Sequence, residues 1–184
     1  LKNVLVNSMY KRLIIYSSTD GQTKLICERI KNSSQFNNET KLIAIDKATK
    51  ENLKLYEVII IGASIRYGKH NPSVFNFVKE NLETFKQKKT GFFSVNVVAR
   101  KEEKNLPETN PYLKKFLKLS KWNPDKKAVF AGKIDYPKYS FLDRQIIRLI
   151  MFITKGPTDT SKSYEFTDWS KVADFTEEID QILS

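Results

Sequence analysis

The stretch IIYSSTDGQTKL, Ile14 to Leu25, sets an apolar run directly against Ser17, Ser18, Thr19, Asp20, Gly21, Gln22 and Thr23. Anion binding is a chemistry that would use such a loop. A helix N-terminus offers unpaired N–H groups and the positive end of its dipole, and hydroxyls complete a shell around phosphate oxygens. The G-x-x-x-x-G-K-[ST] pattern of a nucleoside triphosphate loop is missing, as is the G-x-G-x-x-G of a dinucleotide fold. One glycine with hydroxyls on both sides suits a single terminal phosphomonoester held by Ser18, Thr19, Gln22, Thr23 and main-chain N–H groups. The competing reading is a helix cap rich in Ser and Thr.

Two further loops carry similar promise. Gly62-Ala63 leads into Ser64, Ile65, Arg66, Tyr67 and Gly68, and a second run holds Ser94, Val95, Asn96, Val97, Val98, Ala99 and Arg100. A flat conjugated ring needs an apolar or aromatic slot with main-chain donors and acceptors at its polar edge, and these loops supply both. Tyr67 could stack on such a ring, or stand as an exposed loop aromatic. One cysteine, Cys27, excludes an internal disulfide and suits a reducing cytoplasm. One histidine, His70, excludes a multi-histidine metal site and disfavours a histidine-based triad, so no metal is expected.

The elements that must position these loops alternate. Strands are expected at Arg12 to Ser17, Lys41 to Asp46, Tyr56 to Ala63, Gly91 to Val98 and Lys127 to Gly132. Helices are expected from Thr23 to Ser34, after Asn71-Pro72, after Asn110-Pro111, and from about Asp168, with Trp169, Val172, Thr176, Ile179 and Leu183 on the inner face of the last. YEVIIIGA is continuously apolar in its middle, as in a strand covered on both faces, which points to a parallel sheet. The pattern predicts a doubly wound α/β fold with helices on both faces, five parallel strands fitting the flavodoxin-like order 2-1-3-4-5. A chain of 184 residues with 40% apolar content suits one domain over 1–184. Residues 1–10 read as an extension before the first strand, without the apolar centre of a secretory signal.

Residues 133–167 are too long for an ordinary loop and read as an insertion between the fifth strand and the last helix. Within it, Ser140 to Lys155 can form a helix with Leu142, Ile146, Leu149, Ile150 and Ile153 on one stripe. The net charge is +11, and Arg100 to Lys155 holds 14 Lys or Arg against 6 Asp or Glu. A cationic segment with a greasy helix suits an anionic membrane surface, although such stripes more often pack on their own core. The longest apolar run, Leu149 to Ile153, falls far short of the roughly 20 residues of a membrane span.

The combination SSTDGQT, IIIGASIRYGKH, SVNVVARK, TNPYLKKFL and AGKIDYPKYS resembles the flavodoxin-like, quinone-dependent protoporphyrinogen IX dehydrogenases of bacteria. The resemblance runs from Arg12 to the C-terminus. It implies an FMN enzyme of haem biosynthesis that oxidises protoporphyrinogen IX and passes electrons to a membrane quinone, peripheral on the inner face of the cell membrane. Carried onto this chain, it has Ser18, Thr19, Asp20, Gly21, Gln22 and Thr23 hold the FMN phosphate. Ser64 to Gly68 and Ser94 to Arg100 flank the isoalloxazine, and Asp159 and Thr160 approach the same site. Because the porphyrinogen carries two propionates and the quinone is apolar, Arg100, Lys101, Tyr136, Tyr139, Arg144 and Arg148 become candidates for substrate or membrane contact. The flavin carries the hard step, so no protein acid or base is compulsory. Competing readings are an electron-carrying flavodoxin, usually acidic where this chain is basic, and another quinone reductase. A cofactor-free basic module binding RNA is the non-enzyme alternative. It lacks any nucleic-acid motif beyond charge, and no nucleic-acid partner is expected.

Overall fold

A computed structural model describes residues 10–183. The extension expected over residues 1–10 lies, apart from Tyr10, outside the described residues. Five strands form a parallel sheet: β1 (Arg12–Ser17), β2 (Thr40–Ala44), β3 (Val58–Arg66), β5 (Lys89–Val95) and β6 (Lys126–Phe130). Their order is β2-β1-β3-β5-β6, the expected 2-1-3-4-5. A two-residue strand, β4 (Lys69–His70), folds back antiparallel on the end of β3.

Side chains alternate across each strand, so consecutive apolar residues feed opposite faces. Leu13, Ile15, Ile59, Ile61 and Phe92 enter one core layer, under α2 (Lys50–Lys54), α3 (Pro72–Glu80), α4 (Leu82–Phe85) and α5 (Pro111–Ser120). Ile14, Val58, Ile60 and Phe93 enter the other, under α1 (Gln22–Ser33) and α7 (Trp169–Asp180). This two-sided burial is why YEVIIIGA shows no polar alternation. The caps are legible residue by residue: Asn71, Asn110 and Asp168 accept first-turn N–H groups of α3, α5 and α7, each contributing about 1 kcal/mol.

The insertion has a foot and a body. β7 (Lys133–Asp135) pairs antiparallel with β8 (Ser163–Glu165), and between them stands α6 (Phe141–Ile153), capped by Ser140. Ile134, Tyr136, Tyr139 and Met151 form a small core of their own. The stripe does not pack on the domain's own core over most of its length: Leu142, Leu149 and Ile153 are 72%, 59% and 70% exposed. The inner face is Ile147 and Met151, one position further round.

Several strand ends differ from expectation, and two of them shape the loops of the cleft. β3 runs on through Arg66 and turns back through Tyr67-Gly68, whose φ angles of 50° and 79° make a two-residue hairpin with both central residues left-handed. β5 stops at Val95, because Asn96 accepts the Ala99 N–H and coils Val97 to Arg100 into a 3-10 turn.

Candidate functional site

Three loops converge at the carboxyl ends of β1, β3 and β5, and the insertion closes a fourth side. Together they line one cleft that opens to solvent.

The first loop ends in Gly21, whose φ of 90° swings the chain into α1. Ser18 Oγ accepts the Gly21 N–H at 3.1 Å and shapes the turn, and Thr19 Oγ1 lies 3.4 Å from Ser64 Oγ on the neighbouring loop. Gln22 is buried, and its Nε2 donates to Thr167 Oγ1 at 2.8 Å and Glu165 Oε1 at 3.1 Å, which ties the start of α1 to the foot of the insertion. Thr23 lines the cleft at 1% exposure, and its Oγ1 has no hydrogen-bond partner. A buried hydroxyl without a partner costs about 1–3 kcal/mol, and the first N–H groups of α1 have no acceptor within the helix. An orphan hydroxyl beside orphan N–H groups fits a phosphate.

The second loop presents Ser64, Ile65, Arg66, Tyr67 and Gly68 to the cleft. The third presents Val95, Asn96, Val97 and Val98. It is held from behind: Asn96 Oδ1 accepts from Asn110 Nδ2 at 3.2 Å, and Asn96 Nδ2 donates to Ser94 Oγ, which lies 3.0 Å from His70 Nε2. Every member of this buried chain has a partner, so it fixes the loop rather than serving a ligand. Burial holds the His70 imidazole down at about 4.

Of the residues expected at the site, Ser18, Thr19, Asp20, Gln22, Thr23, Ser64 to Gly68 and Val95 to Val98 line one cleft. Gly21 shapes the turn without lining it. Ser94 and Ala99 point into the protein, Ser94 wholly buried and Ala99 in the core. Arg100 turns inward, its Nη1 on the Val97 carbonyl at 3.0 Å and its Nη2 on the Thr154 carbonyl at 2.8 Å, clamping the third loop to the end of α6. Asp159 and Thr160 do not reach the cleft. Asp159 is exposed, accepting from Ser161 Oγ and pairing with Lys162 at 3.1 Å. Tyr136 is fully buried and donates to the Pro157 carbonyl, whereas Tyr139 does line the cleft. Arg144 donates to the Tyr136 and Tyr139 carbonyls; Lys101 is half-buried and Arg148 exposed.

Residues not expected at the site are Tyr112, Gly132, Lys133 and Ile134, with Ile147, Ile150, Met151 and Thr154 of α6. Ile147 and Met151 sit four apart in a helix apolar on several sides. Which side would face a ligand is set by how α6 leans on its foot, a long-range property without a local signature.

The flavodoxin domain model matches residues 13–161. The protoporphyrinogen IX dehydrogenase [quinone] of Escherichia coli K12 is 40% identical over 170 residues, 92% of this chain and 94% of that relative. The chain belongs to the flavodoxin-domain family. The protein of the same name from Leishmania major is 42% identical over 90% of this chain and 72% of its own length. An archaeal flavodoxin superposes with a TM-score of 0.52 at 17% identity, covering 95% of this chain and 99% of that one. A short-chain flavodoxin associated with a bacterial microcompartment superposes with 0.54 at 13% identity, covering 96% and 100%. These two likenesses bear on the flavodoxin fold alone.

Proposed function

We propose that this chain is an FMN-dependent enzyme that oxidises protoporphyrinogen IX to protoporphyrin IX and delivers the electrons to a membrane quinone. The observation that carries the reading is the 40% identity spread over 92% of the chain. A matched span of that length leaves too few residues at either end to omit the insertion at 133–167, so the relative aligns through the part that sets this chain apart from a plain flavodoxin frame.

The residues present fit FMN. Thr23 Oγ1, Thr19 and the free N–H groups at the start of α1 would hold the phosphate; Ile65, Tyr67, Val97 and Val98 would flank the ring. When bound, the flavin supplies hydride acceptance from a carbon whose positive charge spreads into conjugated pyrroles. The protein's part is to orient and to keep water away. Ile147, Ile150 and Met151 give the cleft an apolar wall from the insertion side, and the Asn96-Asn110 pair holds the opposite loop rigid. No side chain in the cleft needs to act as a strong base. Burial pushes the Tyr139 phenol above its ordinary range, so it stays a neutral donor at physiological pH.

The outer face of α6 supports peripheral attachment to an anionic membrane. Phe141, Leu142, Phe152 and Ile153 are each at least 70% exposed, with Arg148 exposed in the same helix and Lys155 exposed just past its end. Apolar groups beside cations match the boundary between acyl chains and acidic headgroups. No helix among the described residues is long and apolar enough to cross a membrane.

Anaerobic assay of the FMN-loaded protein with protoporphyrinogen IX and a quinone tests the enzyme reading. Porphyrin formation that depends on quinone is expected, and none above the protein-free control would overturn it. For attachment, Leu149→Glu/Phe152→Glu should lower co-sedimentation with phosphatidylglycerol-containing vesicles at least tenfold while flavin stays bound. Equal sedimentation of both proteins would reject α6 as the docking element.

A further inference from the structure

Arg66 closes β3 and, among the described residues, is the one arginine that lines the cleft. Its Nη1 lies 2.5 Å from Asp20 Oδ2, and its Nη2 lies 3.4 Å from Asp143 Oδ2. The two carboxylates come from separate parts of the molecule, Asp20 from the loop before α1 and Asp143 from the first turn of α6. The guanidinium also sits 5.1 Å from the Tyr67 ring centroid and 5.0 Å from that of Tyr139. Two aromatic faces hold it in place whichever anion it meets.

The other arginines beside the cleft are engaged differently. Arg100 and Arg144 donate to part-buried main-chain carbonyls, and turning either outward would break two such bonds. Lys133, on the cleft floor, pairs with Asp135 at 3.4 Å. Arg66 instead holds carboxylates that are themselves 35% and 36% exposed. Ion pairs this accessible add little stability, because the acids regain water when released. Asp143 has the longer contact, and it keeps the Tyr67 hydroxyl as a donor when the arginine turns away. A planar guanidinium whose present partners are exchangeable carboxylates is suited to another carboxylate.

We propose that Arg66 docks a propionate of the tetrapyrrole, and that Asp143 is an internal placeholder which the propionate displaces. The inference rests on the substrate class proposed above. It moves carboxylate recognition from Arg100 and Arg144 to Arg66, at the junction of the second loop and the insertion.

The test compares protoporphyrin IX with its dimethyl ester, which keeps the ring and loses both charges. Binding to the FMN-loaded protein is read by porphyrin fluorescence, and the corresponding porphyrinogens are compared by kcat/KM. The wild type should prefer the diacid. Arg66→Gln should cut that preference at least tenfold, through Kd and KM rather than kcat, and Arg66→Lys should restore part of it. Asp143→Asn should raise the preference by removing the competitor's charge. An acid-to-ester ratio unmoved by Arg66→Gln overturns the proposal. So does a loss confined to FMN affinity, which would assign Arg66 to the cofactor phosphate. A wild type that binds neither porphyrin overturns the substrate reading itself, a result distinct from unaltered discrimination.

Discussion

At Thr23 the chain buries a hydroxyl with nothing to bond. Thr23→Val removes that cost in the ligand-free protein, so its thermal midpoint should hold or rise, while FMN affinity drops about tenfold for the loss of one hydrogen bond. Flavin fluorescence and a melting curve read the two opposite signs together. His70 gives a second prediction. Its imidazole is held down at about 4 from the ordinary 6.5 by burial. As pH falls through about 6.5 the unfolded chain takes up a proton that the folded chain refuses until near 4. Stability should therefore fall across that window, by up to about 3 kcal/mol, and level off below it. Urea midpoints at pH 7 and pH 4.5 measure the loss, and His70→Gln should shrink it. That single residues of the first loop would line a cleft was legible because their chemistry is contiguous. The facing of Ala99 was not, since it depends on β5 ending at Val95, where Asn96 Oδ1 accepts the Ala99 N–H and starts the turn.

At the scale of elements, strand order and caps followed from local pattern, and the orientation of α6 did not. Its stripe of Leu142, Leu149 and Ile153 has the same periodicity whether it meets a core or a solvent. Only Tyr136 and Tyr139, brought under Met151 by the β7-β8 foot, settle which side turns in. Packing between sheet neighbours was equally hidden. Gly62 lies opposite Phe93, and a Cβ there would stand 2.3 Å from the ring Cζ. The ring is fully buried with Phe130 and Phe175 against it, so it has nowhere to go. Gly62→Ala should destabilise by about 2 kcal/mol or more, read as a drop in denaturation midpoint. Gly91→Ala should be milder, because the group it meets is the flexible tip of Ile179.

Across the whole molecule, charge and shape divide the labour. The sheet and its two helical layers are close-packed and hold the loops, while the insertion over 133–167 closes the open side of the cleft. Buried Arg12 pairs with Asp180 at 2.9 Å, locking the last helix to the first strand, so the frame is closed on itself without the insertion. The appendage joins that frame where Lys133 stands directly across from Glu165. Chain ends that meet as neighbours can be sewn together. Replacing residues 134–164 with a two-residue turn should leave one cooperative melting transition and a miniature of the parent that has shed its oily outrigger, showing the insertion to be a detachable graft on a self-sufficient stock.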